Sequence, residues 1–416
     1  MVNTGAGTLI DRLFREEAGK MVAVLTRKFG LANLDIAQDI IQDTLLTAMI
    51  SWRFGNIPDD PRAWLYTVAR NKAIDHLRKE KSSSRIQAES IQRTDAQVES
   101  TLFLEHEISD SVLRMMFACC HPAIPVESQI ALALRTIGGM TVREIASGFL
   151  TSEDTVQKRI SRAREKIKTE GIALEVPVSQ AIMPRLQAVL HVLYLLFNEG
   201  YHSSASDDPV RPDLCLEAVR LCHLLAGNPV TNHPQTNALL ALMCFQASRL
   251  NSRVDGSGNL VTLKYQDRGK WDRSLIAKGV HFLDRAVDAS QFSIYHLEAG
   301  IASIHAAAPS FESTDWKSIY HLYEILYAAH PTPVVALNKA IASSYAVSAD
   351  VALKELQKIR GMERNCFYHA SLGEVCLDLG RRDEARNHFS AAHELTGSKQ
   401  ERLFFQARMN DCISKP

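Results

Sequence analysis

TVREIASGFLTSEDTVQKRISRAREKIK, residues 141–168, is the stretch whose reading decides this chain. A short amphipathic helix is predicted over Thr141–Phe149, a turn at Leu150–Thr151, and a second helix beginning near Ser152. That spacing is a helix-turn-helix, in which the second helix enters the DNA major groove. Within it, Val156, Ile160, Ala163 and Ile167 recur at helical spacing and form one apolar face. The opposite flank carries Gln157, Lys158, Ser161, Arg162, Arg164 and Lys168, and residues 157–168 hold six Lys/Arg against one acid, Glu165. A helix packed on one face and cationic on the other can neutralise phosphates and read base edges together. A merely solvated basic face is the competing reading, and the helix and turn that precede it favour the first.

The rest of the chain sets the frame. Its 416 residues suffice for about three ordinary domains. Hydrophobic residues make up 46% and charged residues 23%, a globular balance. Lys+Arg and Asp+Glu both number 47, so any nucleic-acid-binding charge must be local, as in 157–168. Eight cysteines occur without CxxC pairs and no apolar run leads the chain, which fits reduced thiols in a bacterial-type cytosol. No stretch approaches the ~18 consecutive apolar residues a membrane span needs, so a soluble, cytoplasmic protein with no membrane partner is expected. Strand-like alternation is scarce and 3.6-residue periodicity dominates: the fold is predicted all-α.

Three helical units follow from the periodicity. Residues 9–81 form the first, with helices over 9–30, 34–54 and 61–80 and breaks at Gly30–Leu31 and in the Gly/Pro/Asp loop 55–61. Residues 82–107 are polar and weakly periodic and read as a linker. A unit over 108–170 ends in the helix-turn-helix. The segment 171–178, with Pro177, separates it from a third region, 179–416. There, Leu372-Gly373, Ala385, Phe389 and Ala392 fall at tetratricopeptide (TPR) spacing, and Ala340, Ala352 and Leu356 take the matching places 33 residues earlier than Gly373, Ala385 and Phe389. Small residues at such places let paired helices approach, and the array presents a concave surface for a ligand or partner protein.

Two helices of the first unit carry candidate surfaces. In 61–80, Tyr66, Ala69, Ala73 and Leu77 should pack inward, leaving Trp64, Asn71, Asp75 and Arg78 on the other side among Arg70, Lys72 and Lys79. An aromatic platform, amide and carboxylate edges and cations together suit single-stranded DNA; equally, Trp64 fits a core aromatic. In 34–50, Asp35, Asp39, Gln42 and Asp43 form an acidic flank opposite Ile36, Ile40, Ile41 and Leu45. That flank suits a basic protein partner, or is a solvated face.

DIAQDIIQDTLLTA (35–48), AWLYTVARNKAIDHLRK (63–79) and the helix-turn-helix stretch, in that order and separation, resemble a bacterial RNA polymerase sigma factor of the extracytoplasmic-function (ECF) type. The likeness covers about residues 9–170. It implies a sigma-2 helical domain over 9–81 and a sigma-4 helix-turn-helix domain over 108–170, with core RNA polymerase (β′ clamp helices, β flap) and promoter DNA as partners. It implies that Asp35, Asp39, Gln42 and Asp43 dock on the clamp helices. The 53–61 loop and the face of Trp64, Arg70, Asn71, Asp75 and Arg78 would open and read the −10 element. Gln157, Lys158, Ser161, Arg162 and Arg164 would read the −35 element.

LYLLFNEGYHSS (193–204), CCHP (119–122) and the TPR-like region resemble the ECF subgroup with a fused C-terminal extension, which implies a regulatory role for 179–416. Asn198-Glu199-Gly200-Tyr201 sits at a predicted helix end, with Gly200 as its cap, and reads as a structural corner or as an interdomain or partner contact. Cys119, Cys120 and His121 are adjacent and lack a second pair at zinc spacing, so a turn before Pro122 is expected and no metal or other cofactor. Ser/His/Asp, P-loop and dinucleotide signatures are absent from the sequence, and no enzymatic activity is expected. The alternative is a DNA-binding regulator with a TPR-like sensor that acts without polymerase; it would need neither the acidic 35–48 flank nor the 64–78 face.

Overall fold

The computed structural model describes residues 4–52, 57–83, 103–149, 151–177, 182–202, 210–256, 259–287 and 292–413. Most of the expected linker, part of the 53–61 loop and Leu150 of the turn lie outside these. Regular structure among the described residues is helical apart from one isolated antiparallel bridge, Val254 to Leu260, as an all-α chain requires. The helices fall into two compact units, Met1–Leu196 and Phe197–Pro416.

In the first unit α1 (Thr4–Phe29), α2 (Leu34–Trp52) and α3 (Pro61–Ser83) pack together, followed by α4 (Glu105–Cys119), α5 (Val126–Thr136), α6 (Val142–Gly148) and α7 (Glu153–Thr169). The packing follows the apolar periodicity. Met21 and Leu25 of α1, Ala37, Ile41 and Leu45 of α2, and Leu65, Ala69 and Ala73 of α3 are all buried. Burying a side chain the size of Leu is worth about 1.5–3 kcal/mol, so this interface outweighs the polar contacts at its rim. Helix α4 joins α1 through the same logic. Ile108, Val112, Met115 and Met116 are buried, while Arg27 Nη1 bridges Glu107 Oε2 at 2.5 Å and Asp110 Oδ2 at 2.8 Å at the edge. Helix α5 is buried nearly throughout, and α7 packs across it.

Helix α8 (Ile182–Tyr201) leads to the second unit, with α9 (Pro212–Gly227), α10 (Pro234–Ala247), α11 (Arg273–Arg285), α12 (Ile294–Ala307), α13 (Trp316–Ala329), α14 (Pro333–Ala346), α15 (Ala349–Lys358), α16 (Cys366–Asp378), α17 (Arg382–Leu395) and α18 (Lys399–Ile413). Successive helices pack as neighbours from α13 to α18. The repeat residues of the sequence share one core: Ala340, Ala352, Leu356, Leu372, Ala385, Phe389 and Ala392 are buried together. Gly373 is small because it must be. A Cβ there would stand 2.8–2.9 Å from three atoms of the Phe389 ring.

Gly200 departs from the expected helix cap. It lies inside α8, and its φ is not among the positive ones. Its role is close approach: a Cβ would lie 2.8 Å from the Cys215 nitrogen, 2.8 Å from Leu214 Cβ and 2.9 Å from the Arg211 oxygen. The Gly200 carbonyl in turn accepts from the Arg211 N–H at 2.7 Å. The motif is a crossing point between α8 and the start of α9.

Candidate nucleic-acid interface

The helix-turn-helix is set by its caps and its buried face. Thr141 and Glu144 cap α6 reciprocally: the Thr141 N–H donates to Glu144 Oε2 at 2.6 Å, and the Glu144 N–H donates to Thr141 Oγ1 at 3.1 Å. Ser152 opens α7 by accepting the Thr155 N–H at 3.2 Å. Val156, Ile160, Ala163 and Ile167 are buried. Because these four face inward, helical geometry turns Gln157, Lys158, Ser161 and Arg162 outward, and all four are exposed. Lys158 also pairs with Asp154 at 2.7 Å on the surface.

Arg164 departs from the expected open position. Its Nη1 lies 2.7 Å from Asp35 Oδ1 and its Nη2 donates to Gln38 Oε1, while Lys168 Nζ lies 3.5 Å from Asp35 Oδ2. One residue assigned to the −35 surface and one assigned to the acidic flank therefore hold each other. Sequence reasoning placed both on outward faces and could not show that those faces meet.

On α2, Ile40, Ile41 and Leu45 are buried as expected and Ile36 is half-buried. Asp39, Gln42 and Asp43 are exposed, but Asp43 is engaged: Lys72 Nζ of α3 donates to its Oδ2 at 2.6 Å. The same face continues into residues the sequence reading passed over. Leu46, Met49 and Ile50 are 55%, 53% and 71% exposed, enough to make an apolar end to the acidic stripe. The signal was in the spacing, since 39, 42/43, 46 and 49/50 lie on one helical stripe.

On α3 the inward set is Leu65, Ala69 and Ala73; Tyr66 and Leu77 are only half-buried. Tyr66 donates to Glu17 Oε2 at 2.5 Å, and burial together with that carboxylate raises its hydroxyl pKa. Trp64 is not an open platform. It is half-buried with its ring centroid 5.2 Å from that of Trp52, which is 1% exposed. Two indoles at this distance gain about 0.5–1.5 kcal/mol beyond area burial, which holds Trp64 to the end of α2. Asn71, Asp75 and Arg78 are exposed and Arg70 is half-buried; Arg78 Nη1 stands 3.9 Å from Asp75 Oδ1.

The CCHP segment ends α4. Cys119 and Cys120 are buried, and burial raises both thiols, Cys120 to about 12. His121 Nδ1 accepts the Ala123 N–H at 3.2 Å, and burial followed by Arg185 lowers its pKa. No three His, Cys, Asp or Glu among the described residues are grouped to hold a metal. No helix among them is long and apolar enough to cross a membrane.

A helical unit that carries a helix-turn-helix with a buried apolar face and an exposed cationic row defines a DNA-binding class of protein. Comparison with known families agrees. Residues 13–83 match Sigma-70 region 2, residues 114–167 match Sigma-70, region 4, and residues 185–287 match a family of unknown function (DUF6596). An uncharacterised protein of Rhizobium meliloti is 35% identical over 100% of this chain and 98% of its own length. The ECF RNA polymerase sigma factor SigL of Mycobacterium tuberculosis is 28% identical over 38% of this chain and 89% of its own. The ECF RNA polymerase sigma factor SigW of Bacillus subtilis is 26% identical over 34% of this chain and 78% of its own. No solved structure matches the chain. The chain belongs to the sigma-70 family in its ECF form, with a C-terminal extension. It is a sigma factor, directing RNA polymerase in transcription initiation.

Proposed function

We propose the following division of labour within that function. Residues 9–81 act as the sigma-2 domain, 108–170 as the sigma-4 domain, and 179–416 as an extension that modulates activity. The protein works in the cytoplasm with core polymerase and promoter DNA and has no catalysis of its own. Asp39, Gln42 and Asp43, continued by Leu46, Met49 and Ile50, dock on the β′ clamp helices, and the sigma-4 domain meets the β flap. Asn71, Asp75 and Arg78, with Arg70, read the −10 element, and Trp64 supports that face through Trp52. Gln157, Lys158, Ser161 and Arg162 read the −35 element. Asp35 and Arg164 hold each other in the free chain and part when polymerase and promoter take them up.

The observation that carries this reading is the division of α7, whose four apolar residues are buried while its polar and cationic row is exposed. The polymerase assignment rests on a stripe that is acidic at one end and apolar at the other. Charged groups steer the encounter and apolar ones supply burial. Charge reversal of Asp39 and Asp43 to Lys should abolish capture of core polymerase while the circular-dichroism spectrum is unchanged. Loss of a buried interfacial charge pair costs ~2–5 kcal/mol, well within the range of a pull-down. Undiminished capture would remove the docking assignment.

A further inference from the structure

The second unit brings three arginines together, and the nearest carboxylate to act on them, Glu312, does so on Arg268 without forming an ion pair. Arg249 and Arg253 follow α10, and Arg268 lies in the turn before α11. Among the described residues no carboxylate forms an ion pair with any of them. Arg249 Nη2 donates to the Tyr201 hydroxyl at 2.6 Å and to Gln246 Oε1, both neutral. Arg268 is 7% exposed and donates to the His305 and Ala308 carbonyls, each at 2.7 Å, and to Thr314 Oγ1 at 3.1 Å. Arg253 lies over the Tyr201 ring, 3.7 Å from its centroid, and its Nε is buried without a hydrogen-bond partner. Aromatic faces bind the set together: Arg249 lies 5.7 Å from the Tyr201 ring and 5.7 Å from the Trp271 ring, and Arg268 lies 5.0 Å from the Trp271 ring.

Two further buried nitrogens are unused beside these cations. Trp271 is 2% exposed and its indole Nε1 has no partner; His305 Nδ1 has none either. An indole N–H can only donate, so it calls for an acceptor. Burial, then Arg249 and Arg268, push the His305 pKa down to about 3, so its ring is neutral at pH 7. Cation–π contacts and neutral acceptors compensate a buried guanidinium only in part, and three in proximity repel one another. A fold that keeps such a cluster is complementary to negative charge.

We infer that Arg249, Arg253 and Arg268, with Tyr201, Trp271 and His305, form a binding site in the extension for the oxyanion group of a small molecule, a phosphate or a carboxylate. The guanidinium fork fits both groups bidentately, and the unused Trp271 N–H donates to the same oxygens. Tyr201 comes from the 193–204 motif, and five of the six residues lie inside the 185–287 match to a family of unknown function. The site needs no contact with DNA or polymerase, so it stands apart from the reading above.

The test is ligand-dependent melting of the full chain at fixed ionic strength, with inorganic phosphate as the phosphoryl probe, citrate as the carboxylate probe and chloride as the reference. One of the first two should raise Tm saturably, and which one does identifies the group. Arg253→Gln, which removes the cation stacked on the Tyr201 ring, and Trp271→Phe, which keeps an aromatic side chain and deletes the N–H, should each weaken the response roughly tenfold, as expected for a charge-assisted contact. Arg253→Met should raise Tm without any anion, because it relieves the repulsion between Arg253 and the buried Arg249. Two results would overturn the site: no saturable response to phosphate or citrate, or a response that Arg253→Gln and Trp271→Phe leave intact. A lowered anion-free Tm for Arg253→Met would make Arg253 a structural residue and would also contradict it.

Discussion

Neutralising Asp35 should free the −35 helix. Asp35 accepts from Arg164 at 2.7 Å, faces Lys168 at 3.5 Å, and is supported by the Gln38 contact to the same guanidinium. The side chains are 29% exposed for Arg164, 45% for Asp35 and 54% for Lys168, so solvent screens the pairs heavily. Partly exposed ion pairs are worth about 0.2–1 kcal/mol each, and one strong pair plus one weak one gives ~1 kcal/mol, or about fivefold in an equilibrium. Asp35→Asn should therefore raise the affinity of the full chain for a labelled −35 duplex by about that factor, read by fluorescence anisotropy without polymerase. Any lost acid also reduces repulsion from DNA, so Asp39→Asn, at an exposed position on the same helix, is the control for net charge. Adding Arg164→Ala to Asp35→Asn should cancel the gain. If Asp35→Asn and Asp39→Asn bind equally, the Asp35–Arg164 contact does not restrain the DNA-reading helix and the reasoning fails.

Arg162→Ala should relax preference at one or two base pairs of the −35 element by about 1–3 kcal/mol; an equal loss across all promoter variants would reduce Arg162 to a phosphate contact. Gly373→Ala forces a methyl group against the buried Phe389 ring and should destabilise the second unit by about 1–3 kcal/mol, whereas Gly227→Ala, with nothing within 4 Å, should not; equal Tm values for the two variants would refute the close-packing argument. The pH dependence of stability should carry a His305 component. Its folded pKa of about 3 lies below the ordinary 6.5, so the unfolded chain binds more protons between those values and stability falls as pH drops through that window. From pH 7 to pH 5 the loss is about 2 kcal/mol in urea melts, and His305→Phe should remove it; identical slopes in variant and parent would contradict the assignment.

Periodicity carried most of the fold into view. The four buried residues of α7 and the TPR-type core positions were legible because a packed helix face must repeat every 3.6 residues, and Gly373 with Phe389 because a small residue must face a large one. What stayed hidden involves partners distant in sequence. Trp64 packs on Trp52, Asp35 binds Arg164, and Asp43 binds Lys72, all across 12 to 129 positions. Each alone reads as an exposed charge or an ambiguous aromatic. The arginine cluster was equally silent, because Tyr201, Arg253, Arg268 and His305 share no period and meet only through turns and helix ends. Gly200 was legible as special but not in kind: the sequence marked a glycine near a helix end, and only the approach of Leu214 and Cys215 shows why it is one.

Run-off transcription with purified core polymerase on a pool of genomic fragments tests the central claim most directly. Core enzyme plus the full chain should initiate at discrete start sites that core alone does not use. The Asp39→Lys, Asp43→Lys double variant should lose those products, and Arg162→Ala should redistribute them. If the chain binds such fragments yet yields no start site with core polymerase, or if the double variant transcribes as the parent does, the assignment of these faces is contradicted.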